Sequence, residues 1–377
     1  MATPLIVNFA ADVYTGWGQV GMNWVGLLQP EFQPIFGSMP TPQHFVGMDP
    51  YRYTRIQQAM DATKAYKYSD KCIWVDPIGN DLESYSNVDP QCLIGRVIIE
   101  KADLKLAMQN LAKYDLLLTG SQHNQERIEA ATGREVKLIH EGIDPSLFCP
   151  GAKSGWHDTF NIFASGKVEF RKAPDVTLMA FKRFVQKHPE ARLITLWNSP
   201  YADLGNGYKG VADEPLWLNE HGQLDIPRWA HDNGIPDGTV FELGNIPNFA
   251  LPQILREMDV MLAPSRFESC TSLPVKEAMA CGVPVIYGRH SGMLDLEGHG
   301  NPLDNGTPIK ASREYFFPLA DWEWYEPDPQ EIDFELEFAY EEREDAKAHA
   351  RADSYWLRGY RTWQKHVDEL KAWLPRL

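Results

Sequence analysis

The chain has 377 residues, of which 44% are hydrophobic and 12% aromatic, and its formal net charge at pH 7 is −16. At about 100–200 residues per domain, this length predicts two domains with sizeable cores. The acidic balance argues against a general nucleic-acid binder, because that binding comes largely from Lys and Arg neutralising phosphates, although it leaves room for a local basic groove.

The cysteines and the apolar segments argue against further classes of protein. The five cysteines are widely spaced and form no Cys-x-x-Cys pair, which argues against a disulfide framework or a zinc site. No apolar run reaches the roughly 18–20 residues that a membrane span needs. The amino terminus has no basic segment before its apolar stretch, so we expect no secretory signal and a cytoplasmic location.

Strands and helices alternate through the first half of the chain. A first strand is predicted over residues 4–12, followed by a glycine-rich turn at Gly16–Gly18 and an apolar helix. The alternation predicts an α/β fold with a parallel sheet. The remaining elements predicted here are helices over residues 52–67, 101–114 and 122–133 and short buried strands over 72–77, 115–121 and 136–142.

Residues 149–160, rich in Pro, Gly and Ser, interrupt this alternation and predict an interdomain linker. The pattern then restarts, with a long loop or insertion over residues 199–235 and tail helices from about Asp328 and from Asp353. The predicted strands of this half lie over residues 160–166, 192–198, 239–245, 259–265 and 283–288. We therefore predict domains over 1–152 and 153–350, and a terminal helix over 351–377 that packs back on the first domain.

Two loops at the ends of predicted strands suit a phosphate-bearing ligand. Gly16 and Gly18 would let the backbone approach a phosphate at a helix start, but their spacing departs from Gly-x-Gly-x-x-Gly, and a plain tight turn explains them equally well. Lys167, Arg171 and Lys172 follow a strand at the edge where open α/β sheets bind ligands. Fixed cations there would stabilise a diphosphate leaving group, while an exposed basic loop is the plainer alternative.

Residues 264–286, PSRFESCTSLPVKEAMACGVPVI, are the most informative stretch of the sequence. A strand ends at Pro264, a loop of small polar residues follows, and a helix begins near Pro274. Backbone N–H groups at such a helix start can bind sugar hydroxyls or phosphate. The carboxylate of Glu277 can accept paired hydrogen bonds from the vicinal hydroxyls of a ribose, or can merely complement the helix dipole.

The ordered series of motifs resembles retaining glycosyltransferases of family 4, which have the GT-B fold. The resemblance covers most of the chain and implies two Rossmann-like domains with a nucleotide-sugar donor in the interdomain cleft. Besides 264–286, it rests on VKLIHEGIDPSLFCP at residues 136–150, ASGKVEFRKAPDVTLMAF at 164–181, and LGNIP at 243–247 followed by LREMDVMLAPS at 255–265.

The resemblance implies roles for individual residues. Lys167 takes the family's arginine position and Lys172 its lysine position, and both would hold the donor diphosphate beside Arg171. Glu277 would bind the nucleotide ribose, and Glu268 would lie beside the transferred sugar. The implied donor site is completed by Gly16, Trp17 and Gly18 of the first domain and by Gly244, Asn245, Ser269, Cys270, Thr271, Ser272 and Leu273 of the second.

The sequence departs from the family pattern at two places. Eight residues separate Glu268 from Glu277 where the family usually has seven, so strict spacing would put Ser269 at the first position, and Glu268 fits only with a one-residue bulge. The family often has a histidine at the end of a first-domain strand, near the acceptor side of the sugar. The comparable strand here offers Asp76 as the catalytic candidate, with His123 and His140 as alternatives, of which His140 fits a structural role better.

The reaction implied is retaining transfer of a sugar from a UDP- or GDP-sugar to a hydroxyl acceptor. No positioned nucleophile is evident, so the departing phosphate would help to deprotonate the acceptor while Lys167 and Lys172 act as the main electrostatic catalysts. We expect no cofactor beyond the nucleotide-sugar co-substrate. We also expect no metal, since no Asp-x-Asp motif lies in a suitable loop.

The acceptor is the least determined part of the reaction. A glycan or a small molecule is the first expectation. A hydroxymethylated DNA base, as in phage enzymes of this fold, is an alternative that the net charge disfavours, although basic residues within 52–71 could form a groove. A sugar-nucleotide epimerase and an inactive nucleotide-binding module of the same fold are alternatives from other functional classes.

Overall fold

Two six-stranded sheets organise the chain in the computed structural model, one in each of two units. The structure describes residues 2–83, 89–198, 202–296, 298–309 and 323–375. By their internal contacts, the first unit comprises Met1–Gly142, Pro247–Phe249 and Tyr360–Leu377, and the second comprises Ile143–Ile246 and Ala250–Gly359.

The sheet of the first unit is parallel throughout. Its strands are β1 (Thr3–Val7), β2 (Phe32–Phe36), β3 (Ile73–Ile78), β4 (Cys92–Val97), β5 (Leu116–Thr119) and β6 (Lys137–Leu138). Its helices up to residue 142 are α1 (Gly16–Leu27), α2 (Pro50–Ala65), α3 (Leu104–Leu111) and α4 (Gln122–Thr132). The strand order β2-β1-β3-β4-β5-β6 reverses direction between β1 and β3, as in doubly wound α/β folds.

The main sheet of the second unit is also parallel. Its strands are β7 (Phe160–Ser165), β8 (Ala191–Leu196), β9 (Val240–Glu242), β10 (Val260–Ala263), β11 (Val285–Gly288) and β12 (Asn301–Leu303). A hairpin pairs β13 (Thr307–Ile309) with β14 (Trp324–Glu326). The helices are α5 (Pro174–Lys187), α6 (Ile226–Asp232), α7 (Leu251–Leu255), α8 (Leu273–Ala280), α9 (Pro329–Glu341) and α10 (Arg343–Tyr360).

The strand order of this second sheet determines where a ligand can bind. The order is β12-β11-β10-β7-β8-β9, which is the Rossmann order, and its switch point lies between β7 and β10. At a switch point the connections leave in opposite directions and open a crevice at the carboxyl ends of the two strands. The loops after Ser165 and after Ala263 are therefore the candidate ligand-binding segments.

Continuous apolar runs produce these strands, because both faces of a parallel sheet are covered by helices. All residues of β7 are buried except Ser165, which is half-buried. Phe160 and Ile162 pack with Phe181 and Phe184 of α5 in the core of the second unit. These observations agree with the predicted α/β fold, and the predicted strands of both halves are present.

The region predicted as a loop or insertion over residues 199–235 contains a helix and core residues in its described part. In its described part, residues 202–235, α6 is present and Leu216, Leu224 and Trp229 are buried in the core. The indole Nε1 of Trp229 donates to the carbonyl of Glu214 at 2.8 Å. The high Gly and Pro content reflects the turns between these anchors, among them Gly207 with a φ of +77°, rather than a solvated loop.

The boundary between the two units also differs from the predicted boundary at 152/153. The contacts divide the chain at Gly142/Ile143. Ile143 and Phe148 are buried in a core cluster of the second unit, and Arg256 Nε donates to the carbonyl of Cys149 at 3.0 Å. The irregular segment that we interpreted as a linker therefore lies inside the second unit.

The carboxyl-terminal tail contains a helix break that the sequence analysis did not predict. The helix predicted from Asp353 is divided: α10 ends at Tyr360, and α11 (Trp363–Trp373) begins after Thr362, whose Oγ1 accepts from the N–H of Lys365 at 3.1 Å. None of the helices that the structure describes combines the length and apolar character that crossing a bilayer requires.

The last helix, α11, packs within the first unit. The Nε1 of Trp24 in α1 donates to Nε2 of His366 at 2.7 Å. Because an indole can only donate, Nδ1 of His366 carries the proton, and it donates to the carbonyl of His140 at 2.7 Å. The ring of His366 thus connects α1, α11 and the strand-end segment at residue 140.

Substitution of Gly142 by Ala is expected to destabilise this junction. A Cβ at Gly142 would lie 2.2 Å from the backbone N of Trp363 and 2.3 Å from the carbonyl carbon of Thr362, and backbone atoms cannot swing away. We expect a loss of about 1–3 kcal/mol, measured as a lower melting temperature by calorimetry. The matched control is Gly359→Ala, where a Cβ meets nothing within 4 Å. Equal melting temperatures for the two variants would contradict this packing.

Candidate functional site

The first loop of the site leaves β7 and turns sharply into α5. Gly166 has a φ of +132°, a conformation that side-chain-bearing residues rarely adopt. A single 3₁₀ turn, Phe170–Lys172, follows, and the left-handed Ala173 then starts α5. This path places Arg171 and Lys172 at the carboxyl end of β7, where the sequence predicted a cationic loop.

The second loop leaves β10 and is joined to the first through the backbone. The N–H groups of Arg266 and Phe267 both donate to the carbonyl of Arg171, at 2.7 and 3.1 Å. Because β7 and β10 are neighbours on either side of the switch point, the two loops form one surface at the ligand-binding edge of the sheet.

Glu268 lies between the two cations of the first loop. Lys172 Nζ is 2.7 Å from each carboxylate oxygen of Glu268, and Arg171 Nη1 is 3.2 Å from Oε2. Ser265 Oγ donates to Oε1 at 2.8 Å. Burial alone would raise the pKa of Glu268, but the charges of Lys172 and Arg171 outweigh it and lower the pKa, so this carboxylate is ionised at neutral pH.

A second carboxylate, Glu169, completes the cluster. Its Oε2 is 2.9 Å from Arg171 Nε, and its Oε1 is 3.6 Å from Lys167 Nζ. Burial opposes its charge, yet Arg171 and then Lys167 lower the pKa of Glu169. Three cations thus face two carboxylates. The side chain of Lys167 is 45% exposed, against 17% for Lys172, so it is the most accessible of the three.

Beneath this cluster lies a fully buried ion pair. Arg266 Nη1 and Nη2 donate to the two oxygens of Asp175 at 2.9 and 2.7 Å, and neither side chain is exposed. Arg266 also donates to both oxygens of Glu326, each at 2.7 Å, and to the carbonyl of Phe170 at 2.9 Å. Burial would lower the pKa of Arg266, but the hydrogen bonds and the charge of Asp175 raise it.

The other contacts of this pair satisfy its remaining polar atoms. Asp175 accepts from the hydroxyl of Tyr208 at 2.6 Å and from the N–H of Val211 at 2.8 Å. Burial would raise the pKa of Asp175, and the bonds from Arg266 lower it. The ring of Trp324 in β14 stacks on Phe267 at a centroid distance of 5.8 Å. The pair is therefore enclosed and fully hydrogen-bonded, as buried charges must be.

The loop between β10 and α8 is fixed by the segment around residue 291. The N–H of Glu268 donates to Ser291 Oγ at 3.0 Å, and the N–H of Gly292 donates to the carbonyl of Glu268 at 2.8 Å. A Cβ at Gly292 would lie 2.7 Å from the Cα of Cys270, so only glycine allows this approach. Of the predicted donor residues here, Ser269, Cys270, Thr271 and Glu277 are buried, and Ser272 and Leu273 are half-buried.

The glycines that were predicted to form a turn before the first helix lie inside that helix. Gly16 is the first residue of α1, so the glycines lie in the first helical turn rather than before it. The N–H of Gly18 donates to Oγ1 of the N-cap residue Thr15 at 2.9 Å. A Cβ at Gly18 would lie 2.4 Å from the carboxyl group of Asp12, so glycine is required by packing. The donor-binding role of Gly16, Trp17 and Gly18 stays a prediction.

Asp76, the predicted catalytic residue of the first unit, is fully buried in β3. Its Oδ1 accepts from Asn8 Nδ2 and Trp74 Nε1, both at 2.8 Å, and its Oδ2 accepts from the hydroxyl of Tyr114 at 3.2 Å. These contacts give Asp76 a structural role in the sheet. A catalytic role for it stays a prediction.

The loop after β9, predicted to lie near the nucleotide base, is shaped by Glu242. Gly244 has a φ of +72°, and its N–H donates to Glu242 Oε1 at 3.0 Å, while Asn245 is exposed. Glu242 also accepts from Thr195 Oγ1 at 2.7 Å and from the N–H of Asn198 at 3.0 Å. Burial raises the pKa of Glu242.

Sequence reasoning missed the groups that hold the site together, chiefly Arg266, Asp175 and Ser291. Arg266 and Asp175 lie inside the motifs that we quoted, but an arginine in a loop and an aspartate in a first helical turn are ordinarily exposed. The available signal was their position: both follow strands that meet at the switch point. Ser291 and Glu242 carried no signal that we can identify.

Comparison with known proteins identifies the domain that carries this site. Residues 152–314 match the family model described as glycosyl transferases group 1, and they include both loops and the ion pairs between them. The matched region contains the Lys172–Glu268 cluster, all six strands of the Rossmann-ordered sheet and α8.

Relatives and solved structures extend the comparison beyond residues 152–314. The D-inositol 3-phosphate glycosyltransferase of Mycobacteroides abscessus is 28% identical over 203 residues, which are 52% of this chain and 39% of that protein. The GDP-mannose-dependent alpha-(1-6)-phosphatidylinositol monomannoside mannosyltransferase of Mycolicibacterium smegmatis is 24% identical over 215 residues, 52% and 50% of the two chains. The matched region therefore spans half or less of the length of these relatives.

Solved structures show the fold over the whole chain. Sucrose-phosphate synthase from Thermosynechococcus elongatus has a TM-score of 0.67 at 13% identity, with 99% of this chain and 98% of that chain covered. HepE of Anabaena in complex with UDP-glucose has a TM-score of 0.67 at 13% identity and coverages of 99% and 100%. The chain accordingly has the GT-B fold, as the sequence motifs predicted.

Replacement of Arg266 by Met is expected to destabilise the second unit strongly. It removes the guanidinium from the fully buried Asp175 and leaves that carboxylate with Tyr208 and Val211 as its donors. Loss of one partner of a buried ion pair costs about 3–5 kcal/mol, and we expect the lower part of this range, measured by calorimetric unfolding.

The matched control is Arg183→Met. Arg183 makes a similar paired contact with Asp333, at 2.8 Å, but the two side chains are 37% and 31% exposed. Exposed pairs contribute only about 0–1 kcal/mol, so this variant should unfold close to the wild-type temperature. If the two variants were equally stable, the buried pair would not have the importance that its contacts indicate.

Proposed function

We propose that the chain is a retaining glycosyltransferase that moves a sugar from a nucleoside diphosphate sugar to a hydroxyl acceptor. The observation that carries the proposal is the set of fixed cations, Arg171 and Lys172 with the more exposed Lys167, at the switch point of the second sheet. The names of two relatives, a D-inositol 3-phosphate glycosyltransferase and a GDP-mannose-dependent mannosyltransferase, support the reaction class.

The cations are suited to a departing diphosphate because they are fixed before it arrives. Lys172 and Arg171 have side-chain exposures of 17% and 11% and are oriented by Glu268. Charge that develops on the leaving phosphate as the glycosidic bond breaks would meet donors that need no reorganisation, which is the most effective form of electrostatic catalysis. The exposed Lys167 would close on the phosphate from the solvent side.

Glu268 has two proposed tasks. Before the donor binds, its ionised carboxylate offsets the cations and holds Lys172 in position. With the donor bound, phosphate oxygens would compete for Lys172, and an oxygen of Glu268 would be released to accept a hydrogen bond from a hydroxyl of the transferred sugar. The preceding bulge, which we infer from the spacing of Glu268 and Glu277, would place it there in preference to Ser269.

The remaining donor contacts follow the order of the loops around the switch point. Glu277 in α8 would accept from the ribose hydroxyls, and backbone N–H groups of residues 270–273 would hold the sugar. Gly244 and Asn245, in the loop shaped by Glu242, would lie near the base. The structure of HepE with UDP-glucose supports a uridine nucleotide, and the mannosyltransferase supports a guanosine one, so both belong in a donor panel.

Lys172→Ala and Glu277→Ala are each expected to reduce turnover at least tenfold, which is about 1.4 kcal/mol in the barrier. Lys172→Ala removes a cation from the leaving group, and Glu277→Ala removes the acceptor for ribose hydroxyls. The measurement is release of free nucleotide from a panel of UDP- and GDP-sugars, with and without glycans, small polyols and hydroxymethylated DNA as acceptors.

Lys187→Ala is the control for these variants, since Lys187 is exposed and pairs with Glu337 on the surface. It should retain wild-type turnover. Wild-type rates in both Lys172→Ala and Glu277→Ala would refute the site. Conversion of the donor without any acceptor would instead indicate an epimerase.

The stereochemical outcome tests the retaining mechanism separately. With an α-linked nucleotide sugar, the product should keep the α configuration, because attack and departure occur on the same face of the ring. Proton NMR of the anomeric signal during the first turnovers gives the answer directly. A β-linked product at that stage would exclude retention while leaving the donor site intact.

A further inference from the structure

A second cluster of basic side chains lies at the amino ends of the strands of the same sheet, opposite the donor loops. Lys153, Arg256, Lys347 and Arg351 line a cavity of about 180 Å³ in the second unit. The cavity is also lined by Met258 and Pro284, which stand just before β10 and β11. It therefore opens at the amino ends of the strands, whereas the donor loops follow their carboxyl ends.

Two of these cations share one carboxylate. Lys153 Nζ is 2.7 Å from Oδ2 of Asp259, and Lys347 Nζ is 3.7 Å from Oδ1. Asp259 is buried and also accepts from the N–H of Asn161 at 2.9 Å. Since 3.7 Å is beyond hydrogen-bond distance, Lys347 remains available to a further acceptor.

The charges of Arg256 and Arg351 are neutralised even less than those of the two lysines. Arg256 donates through Nε to the carbonyl of Cys149 at 3.0 Å and through Nη2 to that of Leu147 at 3.1 Å, and both acceptors are uncharged. Its Nη1 makes no hydrogen bond among the described residues. Arg351 is exposed and follows Lys347 by one turn of α10, so both side chains lie on one helix face.

The carboxylate of Glu257, in the segment between Arg256 and Met258, is already hydrogen-bonded. It accepts from the N–H and hydroxyl of Ser154 and from the N–H of Gly155. The carboxyl end of α8 contributes partial negative charge, but the carbonyl of Ala280 accepts from Ser354 Oγ at 2.7 Å. Four basic side chains thus line one cavity in a chain whose net charge is −16, and two of them pair with Asp259.

We propose that this cavity binds a small phosphate monoester. Guanidinium and ammonium groups are the preferred protein donors to phosphate oxygens. The cavity, of about 180 Å³, opens to solvent and has room for a phosphate group. We expect that group to be supplied by a free metabolite or by the headgroup of an anionic lipid.

Calorimetric titration of the full chain tests this site, with inorganic phosphate and glycerol 3-phosphate as the soluble probes. Phosphatidylcholine vesicles with and without phosphatidic acid test the lipid source by co-sedimentation. We expect the double variant Lys347→Ala, Arg351→Ala to bind at least tenfold more weakly. The control is Lys182→Ala, Arg228→Ala, which removes the same charge from exposed surface pairs of the same unit and should bind as wild type does.

The donor loops could also bind phosphate, so Lys172→Ala is titrated in parallel. Binding that persists in Lys172→Ala and is lost in the Lys347, Arg351 double variant assigns the anion to the cavity, whether or not the chain proves to be a glycosyltransferase. The reverse pattern, or no binding of any probe by the wild-type chain, overturns the proposal. Binding of phosphatidic acid vesicles alone, lost in the double variant, would identify the lipid headgroup as the source.

Discussion

The buried pair of Arg266 and Asp175 is the constraint on which the candidate donor site depends. One guanidinium, with no exposed surface, donates to Asp175, to Glu326 and to the carbonyl of Phe170. These groups belong to the start of α5, to β14 and to the turn after β7, so a single side chain determines how three segments meet. A charge in that position is tolerated because its N–H groups are hydrogen-bonded and two of its partners are carboxylates, and loss of Arg266 would leave the buried Asp175 uncompensated.

The site above this pair carries charges of a different kind. Arg171, Lys172 and Glu268 are largely buried but remain at the ligand-binding edge of the sheet, and their mutual contacts keep the carboxylate ionised, with its pKa lowered. Fully buried charges and partly exposed charges thus form two layers, and the lower layer fixes the backbone from which the upper layer projects. The positions of these charges are therefore set when the chain folds, before any ligand binds.

The sequence was sufficient for the elements whose signal is local. Apolar runs such as FNIFAS predicted β7, and the cations at Lys167 and Lys172 were correctly expected at a strand end. It failed where tertiary contacts override local composition. The segment around Trp229 is rich in turn residues yet enters the core. The helix predicted from Asp353 is interrupted by a break, after which Thr362 caps α11. Arg266 could not be distinguished from an exposed arginine, because its burial depends on Asp175, ninety-one positions away.

The composition of the first unit limits how proteins of this kind can be recombined. Its contacts join residues 1–142 with residues 360–377, and Trp24 donates to His366 across that interval. A chimera made with one crossover near residue 142 would combine a foreign first sheet with the native α11. The contact that Trp24 makes with His366 would then have to form between segments from two different proteins. Exchange of the first unit between proteins of this fold therefore requires two crossovers, one near residue 142 and one near residue 360.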